Sequence, residues 1–172
     1  MLEQGGDDGI VIRPLLARDS LDEMTELLHR AYARLAAMNL RFMATHQSVE
    51  VTRERAAQGE CFVATSNGVL CGTILLRRVE TTRGCPWYDR PDVTAFGQFA
   101  VEPGLQAKGL GRRLVGLVEA RAREIGVAEL ALDTAEPATH LIEWYARLGY
   151  RHVEFADWKH TNYRSVIMSK TL

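Results

Sequence analysis

The sequence predicts a mixed α/β fold in which helices cover a mostly antiparallel sheet. Two observations support this prediction. Two β-rich runs flank Asn67-Gly68, a dipeptide that favours the type I′ turn of a β-hairpin. A strand, a helix and a second strand follow between Val93 and Asp133, and such a unit places its two strands parallel. The sheet is therefore expected to contain one parallel pair.

The N-terminal part contains a leader, a strand and a long helix. Residues 1–9 are acidic and glycine-rich, which predicts a short flexible leader. Apolar residues alternate from Ile10 onwards, as in a strand. Ser20 or Asp19 is placed to cap a helix that begins near Leu21 and carries apolar residues at helical spacing.

The hairpin predicts a register for its two strands. A two-residue turn at Asn67-Gly68 pairs Ala64 with Cys71 and Cys61 with Ile74. Because successive side chains of a strand point to opposite faces, Cys61 and Cys71 are expected on opposite faces of the sheet. A disulfide between them is not expected.

The remaining elements alternate between helices and strands. They are a short helix from Val51 to Gln58 closed by Gly59, a helix from about Leu110 to Gly126, a strand in AELALD, a helix from Glu136 to Leu148 closed by Gly149, and late strands in YRHVEF and SVIMSK.

Composition narrows the class of protein. A chain of 172 residues with 47% hydrophobic and 25% charged residues is typical of one soluble domain, here residues 1–172. The 21 basic and 22 acidic residues nearly cancel, which argues against a nucleic-acid partner. No apolar run reaches the ~20 residues of a membrane span, and no signal peptide is visible. Three cysteines without a CxxC pair favour the cytoplasm and predict no metal site.

The segment Gly109-Leu110-Gly111 stands where a helix begins and indicates a phosphate-binding loop. A P-loop is excluded because Leu110-Gly111 replaces the required Lys and Ser/Thr. A dinucleotide-binding turn gains support from Asp133 at the end of the next strand. It lacks the third glycine, however, since Leu114 occupies that position, and seven residues starting at Glu102 separate the glycines from the strand.

A third interpretation takes the segment as Gln106-x-x-Gly109-x-Gly111. A glycine turn at a helix start presents free backbone N–H groups at the positive end of the helix dipole, and such donors suit a pyrophosphate. Cationic side chains that extend this site are Lys108, Arg112 and Arg113.

Two blocks of sequence carry a resemblance to a known family. The stretch FAVEPGLQAKGLGRRL, followed after one strand by LIEWYARLGYR, resembles the GNAT superfamily of N-acetyltransferases, and the likeness extends over nearly the whole chain. The resemblance implies helices on both sheet faces and a parallel strand pair that splays apart. It also implies that acetyl-CoA is the co-substrate and that a small-molecule or peptide amine attacks it directly in a ternary complex. A homodimer is compatible with the family, and a non-catalytic acyl-CoA-binding module is the alternative.

The resemblance also implies which residues form the site. The pantetheine arm would bond the main chain of Phe99, Ala100 and Val101. Tyr145 aligns with the tyrosine that protonates the departing thiolate in many members. The pyrophosphate would lie on the segment Gln106, Ala107, Lys108, Gly109, Leu110, Gly111 and Arg112.

The general base and the acceptor site stay open at this point. The glutamate that many members carry on the cofactor strand is absent from Ala95-Phe96-Gly97-Gln98, and an asparagine often found seven residues before the tyrosine is Ala138 here. Candidate bases are Asp133, Glu136, Asp92 and His46. Candidate acceptor-site residues are Arg41, Phe42, His46, Trp87, Tyr88, Trp158, His160 and Tyr163.

Overall fold

The computed structural model describes residues 4–5 and 8–172, and in this part of the chain eight strands form one sheet in the order β1-β2-β3-β4-β5-β6-β8-β7. All neighbours are antiparallel except β5 and β6. The strands are β1 Gln4–Gly5, β2 Ile10–Pro14, β3 Gly59–Ser66, β4 Val69–Arg77, β5 Val93–Val101, β6 Glu129–Ala135, β7 Arg151–Ala156 and β8 Ser165–Thr171. The helices are α1 Leu21–Ala37, α2 Val49–Ala56, α3 Leu110–Ile125 and α4 Thr139–Arg147.

Helices cover both faces of the sheet, as predicted. On one face α1 packs against β3, β4 and β5 through the buried residues Met24, Leu27, Leu28, Val63, Leu75 and Ala100. On the other face α3 and α4 pack through a larger cluster that includes Ile12, Ile74, Phe96, Leu110, Leu114, Val118 and Tyr145. The mixed, mostly antiparallel fold with one parallel strand pair is confirmed.

The predicted leader is partly built into the sheet. Residues 1–3 and 6–7 lie outside the described residues. Gln4–Gly5 form β1 and pair with β2, so this piece of the segment is a strand and not a free leader. No helix among the described residues has the length and apolar character needed to cross a membrane.

Helices α1 and α2 each begin directly after a serine whose side chain caps the helix. Ser20 caps α1, since its hydroxyl accepts the backbone N–H of Glu23 at 3.2 Å, whereas Asp19 forms an ion pair with Arg13 at 2.7 Å. Ser48 caps α2, so this helix begins two residues before its predicted start.

The fourth helix starts later than predicted. The backbone N–H of Glu136 donates to the carbonyl of Arg164 at 3.0 Å, which continues the pairing of β6 with β8. The chain therefore enters α4 only at Thr139. Gly149 follows the helix with φ +96°, a backbone conformation that suits a glycine at a helix end.

The hairpin register is correct at the turn and wrong beyond it. Ser66 pairs with Val69, as a two-residue turn at Asn67-Gly68 requires, but a β-bulge lies between Ala64 and Thr65. Ala64 therefore faces Gly72 instead of Cys71, and the rest of the hairpin is displaced by one residue, so that Leu75 and not Ile74 faces Cys61. The two cysteines still lie on opposite faces, Cys61 on the α1 side and Cys71 on the α3 side.

Gly59 does not close α2 but begins β3, where it lies directly against β4. A β-carbon at this position would overlap the backbone carbonyl of Leu76. We expect Gly59→Ala to lower the free energy of unfolding by about 1–3 kcal/mol, the usual cost of overpacking. Urea denaturation measures this change. Gly116→Ala in α3, where a β-carbon meets open space, is the control and should stabilise by about 0.5–1 kcal/mol; an unchanged midpoint for Gly59→Ala would contradict the expectation.

The strand β5 contains a bulge that shapes the site. Gly97 pairs with Leu75 and Ala100 pairs with Thr73, so β5 contains one more residue than β4 over the same stretch. Gln98 lies inside this bulge with φ +45°, an uncommon conformation for a residue with a β-carbon. Bulges of this kind bend a strand and redirect its side chains.

Just before the bulge, β5 and its parallel neighbour stop pairing and then separate. Their pairing runs from Val93–Glu129 to Ala95–Ala131 and then stops, although β5 continues to Val101 and β6 continues to Ala135. The sheet therefore opens into a cleft between the carboxyl ends of the two parallel strands, which is the splayed arrangement implied by the family resemblance.

Candidate functional site

A cavity of about 490 Å³ lies at the opened cleft. All but two of the predicted cofactor-site and catalytic residues line it. These lining residues are Phe99, Ala100, Val101, Gln106, Ala107, Gly109, Gly111, Arg112 and Tyr145. Two predicted residues are not among its lining: Lys108 is exposed to solvent, and Leu110 is only 2% exposed and packs in the core.

The loop before α3 leaves backbone donors available to the cavity. Ala107 and Gly109 both have positive φ, +63° and +91°. Gly109 is the N-terminal cap residue of α3, and no side chain caps this helix. The first N–H groups of a helix have no partner within the helix, so the start of α3 offers unpaired donors where the glycine loop meets the cavity.

Two side chains hydrogen-bond to the segment of β5 that no longer pairs with β6. The Gln106 Nε2–H donates to the carbonyl of Val101 at 3.1 Å, which ties the loop to the strand end. The hydroxyl of Tyr32, on α1, donates to the carbonyl of Phe99 at 2.9 Å. Burial raises the pKa of Tyr32 to about 12, so this hydroxyl keeps its proton at neutral pH.

Only one of the three predicted loop cations faces the cavity. Arg112 lines it. Arg113 turns away and forms an ion pair with Asp8 at 2.9 Å, and it also donates to the carbonyl of Ile10. Arg113 thus fastens α3 to the N-terminal strands, and Lys108 extends into solvent.

Tyr145 lies at the inner wall of this cavity. Its ring is 8% exposed and packs against the rings of Phe96, Trp144 and Tyr150. Its hydroxyl makes no hydrogen bond to any residue that the structure describes. Burial raises its pKa well above the usual value of 10, because a phenolate would lose its hydration there. Tyr145 therefore presents a protonated hydroxyl that is free to donate.

A second, smaller cavity of about 110 Å³ adjoins the first. The two cavities share Tyr32, Leu141 and Tyr145, so Tyr145 stands at their common wall. The second cavity is also lined by Phe42, Met43, Ala44, Arg55, Arg77, Phe96, Gly97, Gln98, Asp133, Thr134, Trp158, His160 and Tyr163.

Asp133 is the one candidate base of the four that lines this second cavity. Its carboxylate accepts the hydroxyl of Tyr88 at 2.8 Å, which fixes its orientation. The other candidates are engaged elsewhere. Glu136 pairs with Arg164, Asp92 pairs with Arg90, and His46 bonds the hydroxyl of Thr45.

The predicted acceptor-site residues divide into two groups. Phe42, Trp158, His160 and Tyr163 line the second cavity, whereas Arg41, His46 and Trp87 do not. Tyr88 is fully buried behind Asp133 and stacks on Trp158. Burial lowers the pKa of His160 below its usual 6.5, so this imidazole is mainly neutral at pH 7.

Several residues of the two cavities were not identified by the sequence analysis, and Tyr32, Arg55 and Arg77 are the ones that bear on the chemistry. Tyr32 lies in the middle of α1, Arg55 lies in the last turn of α2, and Arg77 ends β4. No motif marks them, because a tyrosine in an amphipathic helix and an arginine near a helix end are ordinary features of any chain. No group of three or more potential metal ligands occurs within residues 4–5 and 8–172.

Comparison with known proteins agrees with this geometry. Residues 21–150 match the model of the acetyltransferase (GNAT) family. The chain is 32% identical over 143 residues to the S-(2-succino)cysteine N-acetyltransferase of Bacillus subtilis, covering 80% of this chain and 82% of that protein.

Solved structures share the fold. The ribosomal-protein-S18-alanine N-acetyltransferase of Escherichia coli superimposes with a TM-score of 0.70 at 20% identity, covering 94% of this chain and 93% of that chain. A GNAT family acetyltransferase from Elizabethkingia anophelis with acetyl-CoA bound gives a TM-score of 0.69 at 20% identity, with 96% and 100% covered. The match of the family model, together with the Bacillus relative, shows that this chain belongs to the GNAT family and is an acetyl-CoA-dependent N-acetyltransferase.

Proposed function

We propose that the two cavities are the cofactor half and the acceptor half of one acetyl-transfer site, with Tyr145 acting at their boundary. The observation that carries the proposal is the shared wall, since Tyr145 lines both cavities with a buried, protonated hydroxyl. The amine to be acetylated enters from the smaller cavity, and the thioester lies in the larger one.

The residues of the larger cavity fit an extended, phosphorylated thioester. The part of β5 that no longer pairs with β6 presents main-chain groups along Phe99, Ala100 and Val101, and the uncapped start of α3 presents N–H donors beside Arg112. Gly109 holds φ +91°, a conformation that a residue with a β-carbon adopts only under strain. The carbonyls of Phe99 and Val101 already accept one internal hydrogen bond each, so a ligand would use their second lone pairs or the neighbouring N–H groups.

The reaction needs two proton transfers, and Asp133 and Tyr145 are placed to carry them out. An alkylamine has a pKa of about 10 and must lose a proton before it can attack. Asp133, held by Tyr88, accepts this proton. As the C–N bond forms and the C–S bond breaks, Tyr145 donates its proton to the departing sulfur, and solvent restores both groups. Acetyl-CoA would supply the activated thioester, with the thiolate of coenzyme A as the leaving group.

The acceptor is a small amine, in this proposal an amino acid or a related metabolite. The smaller cavity has a volume of about 110 Å³, which suits a compact substrate. The Bacillus relative carries the name of an enzyme that acetylates a cysteine derivative, which supports the same class. We place the enzyme in the cytoplasm, because its three cysteines are free and buried. A homodimer stays a prediction.

Substitution of Arg112 tests whether the larger cavity binds acetyl-CoA. We expect Arg112→Ala to raise the KM for acetyl-CoA about tenfold and to leave kcat within twofold, because a charge-assisted contact to phosphate is worth about 1.5–3 kcal/mol at most and lies far from the thioester. Lys108→Ala removes a cation from the same loop that faces solvent and serves as the matched control. Steady-state thiol release with saturating amine measures both. Equal effects of the two variants would refute the assignment of the cavity.

A further inference from the structure

We infer that the smaller cavity binds an amine that also carries a carboxylate, and that Arg55 and Arg77 hold this carboxylate. The inference rests on the proposed function, since it takes the smaller cavity as the acceptor half of the site. It adds to that function the two residues that recognise the carboxylate of the acceptor and a preference for a second carboxylate.

The two guanidinium groups converge on one point of the cavity. A β-carbon built on Gly97 would lie 3.6 Å from Arg55 Nη2 and 3.8 Å from Arg77 Nη2. Gly97 leaves that space to the two arginines, at the stretch of β5 where many family members carry a glutamate. The site thus has two cations in place of one anion.

Arg55 is held in position by a buried chain of amides. Its Nη1–H donates to the Oε1 of Gln47 at 2.6 Å. The Nε2 of Gln47 in turn donates to the side chains of Thr52 and Gln98, at 2.8 Å and 3.0 Å. Gln47 and Gln98 are each 2% exposed. An arginine fixed by such a network is prepared to bind a ligand with little loss of side-chain entropy.

Neither arginine has an anionic partner in the part of the chain that the structure describes. Ten other ion pairs join cations to carboxylates at 4.0 Å or less, and none of them includes Arg55 or Arg77. The Nε of Arg77 is buried without a hydrogen-bond partner. The carboxylate of Asp133 lies in the same cavity and acts to raise the pKa of Arg55, but it accepts the hydroxyl of Tyr88 and forms no ion pair with either arginine, and the pKa of Arg55 is still lowered.

Two neighbouring cations that are partly buried, as Arg55 and Arg77 are, are unfavourable unless an anion compensates them. Burial and the charge of Arg77 together lower the pKa of Arg55, which reports the same cost. A carboxylate of the acceptor would satisfy both guanidinium groups, since each can form paired hydrogen bonds with carboxylate oxygens.

The positions of the charges orient the acceptor. Its carboxylate lies at Arg55 and Arg77, and its amine lies toward Asp133 and Tyr145, where the proton transfers take place. Because two arginines offer more donors than one carboxylate can accept, an amino dicarboxylate is expected to bind better than an amino monocarboxylate, and an amine without a carboxylate should bind least well.

A matched set of amines tests this assignment on the intact enzyme. Thiol release is measured with L-glutamate, L-alanine and propylamine, and kcat/KM should fall in that order, by about tenfold or more between the two ends. Arg55→Gln and Arg77→Gln should each lower kcat/KM for glutamate at least tenfold more than for propylamine. Arg53→Gln, an exposed position on the same helix, is the control and should change none of these values.

A binding measurement at equilibrium tests the carboxylate site without any need for turnover. Succinate should raise the melting temperature of the wild-type enzyme and have no such effect on the R55Q/R77Q double variant, whose folding is checked by circular dichroism. The assignment is overturned if propylamine is acetylated as well as glutamate, if the arginine variants lower both rates equally, or if succinate stabilises neither protein. These outcomes are distinct from a failure of the proposed acetyl-transfer site. In that case Tyr145 and Arg112 variants would keep wild-type kinetics with every amine, whatever the arginine variants do.

Discussion

Tyr145→Phe is expected to lower kcat about 10²–10³-fold at saturating substrates, because the departing thiolate then lacks its proton donor. The change removes only a hydroxyl that bonds to none of the described residues, and the ring packing against Phe96 and Trp144 is kept. The free energy of unfolding should therefore change by less than ~0.5 kcal/mol. Stopped-flow or steady-state thiol release measures the rate.

Tyr150→Phe is the matched control for this variant. Tyr150 packs against Tyr145, is also buried, and donates its hydroxyl to Glu119 at 3.0 Å. Its loss should lower stability by about 1 kcal/mol and leave kcat nearly unchanged. If Tyr145→Phe retains the wild-type rate while binding both substrates, the acid role of Tyr145 is wrong.

The pH dependence of kcat adds a second check on Tyr145. Its pKa is raised well above 10, so the group stays protonated throughout the neutral and mildly alkaline range and loses its donor function only at higher pH. No alkaline fall in kcat below about pH 10 should therefore be attributable to this residue. A fall below pH 10 that disappears in Tyr145→Phe would contradict the raised pKa of Tyr145, but it would still identify this residue as the proton donor.

Asp133→Asn is expected to lower kcat/KM for the amine about 10²–10³-fold, because an amide cannot accept the proton of the attacking ammonium. Asparagine keeps the shape of the side chain and can still accept the hydroxyl of Tyr88, so the loss should be chemical and not structural. Raising the pH should recover part of the rate, since more of the amine is then neutral before it binds.

Glu136→Gln is the control, since this carboxylate lies three residues further along and pairs with Arg164 on the surface. His160 is the competing base, because its lowered pKa leaves it neutral at pH 7. If Asp133→Asn keeps the wild-type rate while His160→Asn loses it, the proton acceptor is His160. The acid limb of the pH profile should then disappear in the His160 variant.

Local features were predictable because they depend on neighbouring residues. The Asn67-Gly68 turn, the cap at Ser20 and the positive φ of Gly109 follow from side chains or their absence within a few positions. The segment from Gln106 to Gly111 was predicted as the site loop for the same reason, and most of it lines the larger cavity. The bulge at Ala64 was missed, because a register shift arises from packing between strands and not from the turn.

The directions of the loop cations depended on distant parts of the chain. Lys108, Arg112 and Arg113 are equivalent in the sequence, yet only Arg112 faces the cavity. Helix phase turns Arg113 toward the N-terminal strands, where Asp8 binds it. An ion pair between residues so far apart in sequence has no local signal.

The sequence by itself determined the order of elements, the glycine turn at the start of α3 and the family. Each of these features depends on a short, contiguous stretch of residues. Only the tertiary structure decided how the acceptor side is built. Tyr32, Arg55, Arg77, Asp133 and His160 come from five separate segments, and the bulge in β5 together with the splayed strands brings them around one cavity. A pocket assembled across a sheet is set by long-range packing, so its charges, and the carboxylate-bearing amine that we infer from them, become visible only when the chain is folded.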